Sequence, residues 1–411
     1  MAGSTILAGN AQLMKQINRS AILSVIRTQG PIPRAEIAKL TNLTPPTVTN
    51  IVGELMEERL VIEGERGHSS GGRKPIMLEI NPQAGYILGV DVGSKRFTVL
   101  GVDLDANIHA EIERPLPAQP TVDSFLAMLA DTLEDAITAI ASGNQFAREQ
   151  LMGIGVGMHG IVDVRQGLGI FAPNLQLREV PIRDYLMHRF SVPVQVDNDV
   201  RAMAVGESWF GNARDIQNFV CINVGYGIGA AIVLHHELYR GMSGSAGEIG
   251  HITVAEDGLR CSCGNYGCLQ AMAAGPAIAQ RAAQAIRTGT DSVLSSLVQE
   301  RLEGLTGAMI HQAALQGDRL AIRVLADTGR YLGISIAQLI HILNPELIIV
   351  GGGVAKAGDF LFEPLRKTVE KHSLKLPFAN TPIVPAALGE KATAIGAASM
   401  SIKALFSPAP M

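Results

Sequence analysis

Between Met14 and Ile26 the apolar residues Ile17, Ala21, Ile22, Val25 and Ile26 recur at the three-and-four spacing of one helical face. Gly30-Pro31 ends that helix, and residues 1–12 before it read as a loose arm. A short second helix follows over Arg34–Leu40, then a tight turn at Thr41-Asn42-Leu43. Thr44 is a suitable N-cap for a third helix, with Pro45 at the first helical position, where its missing N–H costs nothing. Val48, Ile51, Val52 and Leu55 form its apolar stripe, which runs to about Arg59. Two runs, 60–63 and 76–80, then read as strands. Two helices joined by a three-residue turn predict a helix-turn-helix, and the two strands after it predict a wing.

Beyond Asn81-Pro82 the pattern changes to apolar strands that run into glycines. Tyr86–Gly93 and 96–103 form one strand–turn–strand unit, with a third strand near 108–112 and a helix over 122–141. A strand that ends in a glycine-flanked loop over 151–163, and a strand over 192–199, follow. Phe219–Gly225 and Gly227–Leu234 repeat the strand–glycine turn–strand design, which predicts an internal duplication and two lobes of similar fold. Residues 271–343 read as helices broken at Gly289 and Gly317. Leu347–Val350 then enters Gly351-Gly352-Gly353, and a helix of small residues begins near Leu388.

Composition narrows the class. With 411 residues, 47% hydrophobic and 18% charged, the chain suits two or three domains with large cores. A net charge of −4 gives no global argument for nucleic acid. Residues 1–80 hold nine Lys/Arg against seven Asp/Glu, a net of +2, so DNA binding there rests on pattern. The third helix would be the recognition helix, with Pro46, Thr47, Thr49 and Asn50 toward the major groove, and Arg73 and Lys74 at the wing tip toward phosphates. A bundle used for protein contact is the competing reading. No run is long enough to span a membrane, and the N-terminus lacks the apolar core of a secretion signal. A cytoplasmic protein at the nucleoid is expected.

The candidate chemistry concentrates in one stretch. Three of four cysteines fall at Cys261, Cys263 and Cys268, with His251 ten residues upstream. Thiolate and imidazole are the ligands tetrahedral Zn²⁺ prefers, and three Cys with one His make a closed structural site. Cys221 lies apart, in an apolar run, and reads as a buried thiol.

The same stretch carries a resemblance. Gly247-Glu248-Ile249-Gly250-His251, followed by Cys261-Ser-Cys263-Gly-Asn-Tyr-Gly-Cys268-Leu-Gln270, is similar to the signature of the ROK family of repressors and sugar kinases. Its last position, Glu in the family pattern, is Gln270 here. The resemblance implies that His251 and the cysteines hold structural zinc and that Glu248 and His251 touch a sugar, with Gln270 altering hydroxyl recognition. Pro173-Asn174-Leu175 matches a family sugar-binding motif, which implies a sugar role for Asn174. Asn198-Asp199 matches another: in kinases this Asp is the general base, and in repressors it holds the sugar. Asp91-Val-Gly93-Ser94-Lys95 departs from the family's D-x-G-G-T, and Tyr226 replaces Thr in G-T-G-I-G. Both changes remove small residues that phosphates approach closely, so no catalysis is expected. Gly157-Met-His159-Gly160 resembles the family's G-x-P-G sugar loop, with His159 in place of proline.

The implied architecture is α/β: a winged helix-turn-helix over 1–80, then a two-lobed actin-like, hexokinase-type ATPase fold. Its lobes would be 81–199 and 200–388, with a helix over 389–405 returning to the first. The expected function is a sugar-responsive repressor of carbohydrate uptake and catabolism genes. It would act as a homodimer or tetramer that leaves double-stranded operator DNA when a monosaccharide binds between the lobes. Xylose, glucose and an N-acetylated amino sugar stay open as effector. Two alternatives stand beside it: an ATP-dependent sugar kinase with a DNA-binding extension, and a repressor switched by a phosphotransferase-system protein.

Overall fold

The computed structural model describes residues 11–66, 75–143, 145–298 and 301–407. Its N-terminal part contains α1 (Ala11–Gln29), β1 (Ile32–Pro33), α2 (Arg34–Thr41), α3 (Pro45–Glu57), β2 (Val61–Arg66) and β3 (Ile76–Ile80). α1 begins at Ala11, so the end of the expected loose arm is helical. Asn42 in the left-handed region (φ 55°) closes α2, and its N–H bonds to the Ala38 carbonyl. Thr44 caps α3 by accepting from the Thr47 N–H at 3.4 Å. β1, too short to register as a pattern, pairs with β3 and completes a three-stranded sheet in the order β1-β3-β2.

The first lobe is built on β4 (Tyr86–Val92), β5 (Arg96–Val102), β6 (Ile108–Pro115), α4 (Val122–Ser142) and β7 (Leu151–Met158). A small sheet of β8 (Ile161–Asp163), β9 (Leu168–Ala172) and β10 (Leu177–Val180) follows, then α5 (Ile182–Phe190), β11 (Val194–Asn198) and α6 (Asp199–Phe210). The main sheet has the order β11-β7-β4-β5-β6, with β11, β7 and β4 parallel. Ligands of open α/β sheets bind outside the C-terminal ends of such strands.

The second lobe repeats the plan with β12 (Phe219–Val224), β13 (Ile228–Leu234) and β14 (Glu237–Tyr239). The segment carrying the three clustered cysteines leads to α7 (Leu269–Ala273), α8 (Gly275–Arg287), α9 (Leu294–Leu297), α10 (Gly307–Leu315) and α11 (Arg319–Leu343). β15 (Leu347–Gly351), α12 (Asp359–His372), α13 (Lys375–Asn380), β16 (Ile383–Pro385) and α14 (Ala392–Phe406) complete the chain. The sheet order is β14-β13-β12-β15-β16, with β15 parallel to β12. In each lobe an antiparallel pair beginning the lobe meets a later parallel strand, which is the duplication read from the glycine turns.

Two helices tie the lobes together. α14 packs on β4 and β7 of the first sheet so closely that a Cβ on Gly155 would lie 1.7 Å from the Ala397 carbonyl oxygen. α6 crosses α14 where Gly206 meets Gly396, and its other side packs on β12 and β13. The buried Glu207 carboxylate accepts from the Asn212 N–H (2.9 Å) and the Leu388 N–H (3.0 Å). It fastens the end of α6 to the segment that enters α14, and without those donors it would be an unsatisfied buried charge.

The N-terminal helices share a core with this helix pair. Ile22, Leu23 and Ile26 of α1 belong to one buried cluster with Ile395, Ile402 and Phe406 of α14 and Trp209 of α6. The Arg27 guanidinium lies 3.9 Å from the Trp209 ring centroid, and Trp209 stacks on Phe406 at 6.0 Å. A cation–π contact of this kind contributes about 0.5–1 kcal/mol at a partly exposed site.

Candidate functional site

The strand ends of the first sheet gather two carboxylates and an imidazole. Asp91 lies in β4 opposite Gly157 of β7, which in turn faces Asp197 of β11. Asp199 comes two residues later. The strand expected through Asp199 stops at Asn198, because the Asn198 side chain caps α6 by accepting from the Val200 N–H at 3.0 Å and the Arg201 N–H at 3.3 Å. Asp199 is therefore the first residue of α6, where a helix N-terminus favours negative charge. Burial nevertheless raises its pKa, opposed by the neighbouring His159 ring when that ring is protonated and by the bond from the Val200 N–H. Burial also pushes Asp91 up to about 7; the Asp199 carboxylate adds to that rise and Arg96 opposes it. Like charges brought together at a strand end behave this way.

Beneath them lies an ionic group that the sequence reading missed. Asp197, 1% exposed, accepts from Arg201 at 3.3 Å and from Arg240 at 2.7 Å. Arg201 also donates to the Gly244 carbonyl. Arg240 and Gly244 belong to the segment after β14, so this group fixes the second lobe's 240–248 loop to the first lobe's strand end. Asp197 and Arg201 stand four apart across a strand-to-helix junction, a weak signal that sequence alone offered. Removing one partner of a buried pair leaves an uncompensated charge.

The expected sugar-binding residues divide into groups. Glu248 is exposed just before Ile249–His251, and the neighbouring Gly247 carbonyl accepts from the Ala230 N–H at 2.8 Å, holding this segment to β13. Gln270 sits at the start of α7, and its Oε1 accepts from the Ile228 N–H at 3.2 Å. One side of its amide is thus committed to the Gly225–Gly229 turn. Val200 of α6 reaches Gly229 of that turn, which brings the Asp199 end of α6 to the Gln270 group. Asn174 lies exposed on the β9–β10 turn; its neighbour Pro173 packs against Gly160, whose carbonyl accepts from Asn198 Nδ2 at 3.1 Å.

The metal candidates converge. The ligand atoms of His251, Cys261, Cys263 and Cys268 all lie within 4.8 Å of one another. Cys261 Sγ is 3.7 Å from His251 Nδ1, and Cys263 Sγ is 3.7 Å from Cys268 Sγ. Sulfurs bound tetrahedrally about 2.3 Å from one centre stand about 3.8 Å apart, far outside an S–S bond of about 2.05 Å. The donor set and spacing fit a metal ion, and all the cysteines are free thiols. A bond from the Asn265 N–H helps hold the Cys263 thiol down at about 7, whereas burial pushes Cys268 up to about 12. Cys221 is buried away from them, as expected.

On α3, Pro46, Thr49 and Asn50 are exposed and Thr47 is partly so. The Thr44 and Thr47 hydroxyls share a hydrogen bond of 2.8 Å, and Thr49 donates to the Pro45 carbonyl at 2.9 Å. These side chains are held in place yet keep acceptor capacity. Lys15 and Arg19 of α1 pair with Glu54 and Glu58 near the C-terminal half of α3. The polar N-terminal half is left free of ion pairs among the described residues. Arg73 and Lys74 lie outside the described residues. No helix is long and apolar enough to cross a membrane among the described residues.

Comparison with known proteins places these features. Residues 87–404 match the ROK family, and residues 16–62 match a winged helix-turn-helix DNA-binding family. The chain is 35% identical over 394 residues to a putative xylose repressor of Caldicellulosiruptor sp. (strain Rt8B.4), covering 96% of this chain and 97% of that one. It superposes on a ROK family transcriptional regulator, a homologue of the E. coli MLC protein, with a TM-score of 0.84 at 30% identity, covering 96% and 98% of the two chains. A ROK family glucokinase from Streptomyces griseus, solved with glucose and AMPPNP, matches at 31% identity and a TM-score of 0.68, covering 77% of this chain and 99% of its own. From its zinc-type signature to its duplicated lobes, this chain belongs to the ROK family, with a winged helix-turn-helix ahead of the ROK region.

Proposed function

We propose that this protein is a sugar-responsive transcriptional repressor of carbohydrate uptake and catabolism genes, working in the cytoplasm at the nucleoid. One observation carries the reading: α6 begins at Asp199 in the cleft and, near its other end, sets Trp209 against Arg27 of α1 in the DNA-binding part. Twelve residues span about 18 Å, so one rigid rod joins the two sites. The units we assign are residues 1–80 for DNA, 81–199 with the returning C-terminal helix, and 200–388. Pro46, Thr47, Thr49 and Asn50 face the major groove, with Arg73 and Lys74 on phosphates. Asn174, Asp199, Glu248 and His251 hold the sugar hydroxyls, and Gln270 orders the second turn beside them.

His251, Cys261, Cys263 and Cys268 would hold Zn²⁺, which when bound crosslinks the loop and supplies no catalysis. His251 presents Nδ1 to that group and so fixes the Glu248 segment. Closure of the lobes around a sugar shifts α6 against α14, and with it the seat of α1. In a homodimer, such a shift changes the spacing of two recognition helices. The effector we favour is xylose, on the likeness to a xylose repressor; glucose and N-acetylglucosamine are the competing candidates.

A kinase is the second reading, favoured by Asp91 beside Asp199 and by the likeness to a glucokinase. Ser94, Lys95 and the exposed Tyr226 weigh against it, since they occupy positions where the kinase pattern is small. Fluorescence anisotropy on DNA from the protein's own upstream region, at fixed salt, tests the choice. Specific binding weakened about 100-fold by one monosaccharide, roughly 2.7 kcal/mol of coupling, is expected. Absence of specific binding, together with sugar-dependent ATP consumption, would establish the kinase instead. Release only by a phosphotransferase-system protein would establish the partner-switched alternative.

A further inference from the structure

His159 lies one residue past β7, the strand between β11 and the central β4 of the first sheet, and beside the Asp199 carboxylate. Its Nδ1 lies 3.1 Å from the Val92 carbonyl oxygen. A carbonyl only accepts, so Nδ1 carries the proton, and in the neutral ring Nε2 offers its lone pair. That Nε2 is buried and has no hydrogen-bond partner among the described residues. A buried polar atom without a partner costs free energy, and native structures rarely keep one without a use.

The loop around the ring is rigid. Gly160 follows with φ 93°, and a Cβ there would lie 2.2 Å from the Phe171 carbonyl oxygen, so that position admits only glycine. Its carbonyl is held by Asn198, the residue that also caps α6. The imidazole is thus pinned on one side to the turn after β4 and on the other, through Gly160 and Asn198, to the helix that starts at Asp199. The charged groups at this strand end are the Asp91 and Asp199 carboxylates, the Arg96 guanidinium beside Asp91, and Asp197, which is already paired with Arg201 and Arg240. An ionised Asp199 only accepts, so a ligand hydroxyl seated against it donates, and the neighbouring hydroxyl is free to donate to the ring.

We propose that His159 is a direct, specificity-determining ligand of the effector: its Nε2 accepts from one hydroxyl of a monosaccharide diol while the adjacent hydroxyl donates to Asp199. The inference rests on the sugar-responsive reading above and adds the residue that selects which hydroxyl pair is recognised. A ligand lacking the donor at that carbon leaves Nε2 buried and unpaired, and sites built on such groups discriminate strongly.

The test is calorimetric binding to the full-length protein of xylose, glucose and N-acetylglucosamine, then of single-position deoxy and deoxyfluoro analogues of the sugar that binds. His159→Asn keeps an amide able to donate to the Val92 carbonyl but has nothing at the Nε2 position; His159→Gln reaches that position. For the wild type, loss of one particular hydroxyl should weaken binding about 10-fold, or 1.4 kcal/mol, and fluorine there should not restore it, since fluorine cannot donate. His159→Asn should weaken binding of the parent sugar about 10-fold and make that deoxy analogue no worse than the parent. His159→Gln should recover part of the loss. Unchanged affinity and discrimination in His159→Asn would overturn the inference, as would an equal loss for every analogue, which marks a purely structural residue. A wild-type protein that binds none of the three sugars overturns the effector reading itself, and this inference with it.

Discussion

The turns after β4 and after β12 end equivalent strands in equivalent register, yet they carry different chemistry. Asp91 pairs with Thr98 on one side and Gly157 on the other; Asn223 pairs with Gly229 and Gly351. The first turn is charged, buried against Asp199 and held by His159. The second is neutral and is held by Gln270, with the Gly275 N–H donating to the Gly225 carbonyl at 2.8 Å. Gln270 comes two residues after Cys268, so order at the cysteine cluster reaches the second turn directly. One duplicated element thus forms a charged wall in the first lobe and a fixed wall in the second, and in the function we propose the first is the responsive one. A switch needs both, because a ligand shifts an equilibrium only through contacts that differ between two states.

The largest way to break this contrast is at the fixed wall. Cys263→Ser should abolish stoichiometric zinc, read by atomic absorption, and lower unfolding stability by about 4 kcal/mol, as loss of a structural metal does. A variant that keeps one zinc per chain and full sugar response would remove the metal assignment.

Asp91→Asn makes the responsive turn resemble the fixed one. The folded Asp91 carboxyl stays protonated up to about 7, whereas the unfolded one ionises near 3.8. The folded state holds the extra proton between those values, so stability from this group is complete below pH 4 and lost as pH rises through 7. The substitution should flatten that slope, worth on the order of 4 kcal/mol across the window, in denaturant melts at several pH values. An unchanged slope would mean that Asp91 is ionised throughout.

Asp199→Asn should weaken sugar binding about 100-fold through loss of a charged acceptor, while DNA affinity without sugar stays at wild type. Unchanged induction would exclude Asp199 from the site. Smallest is Gln270→Ala. It leaves the Ile228 N–H unpaired, which should cost about 1–2 kcal/mol in thermal melts. Sugar affinity lost with no change in stability would instead make Gln270 a direct sugar ligand.

The parts legible in the sequence were those whose partners lie close along it. Helical spacing, the Thr44 cap and the Gly30-Pro31 stop placed the N-terminal helices, and three cysteines within eight residues marked the loop where the candidate metal ligands converge. The duplicated glycine turns announced two lobes. The cleft was legible only as isolated fragments, because topology assembles it. His159 meets Val92 from 67 residues away, and Asp197 meets Arg240 from 43. No local periodicity encodes such pairs. Nor did any local pattern mark Trp209 as the seat of Arg27, since an aromatic residue near a helix end reads equally well as core.

The central claim is that sugar and DNA compete through one rod, α6, and thermodynamic linkage tests it most directly. Sugar affinity should be measured by calorimetry on the free protein and on the protein saturated with operator DNA. Reciprocity requires DNA to weaken sugar binding by the factor, about 100, by which sugar weakens DNA binding. Equal sugar affinity in the two states would contradict the account, however tightly each ligand binds alone.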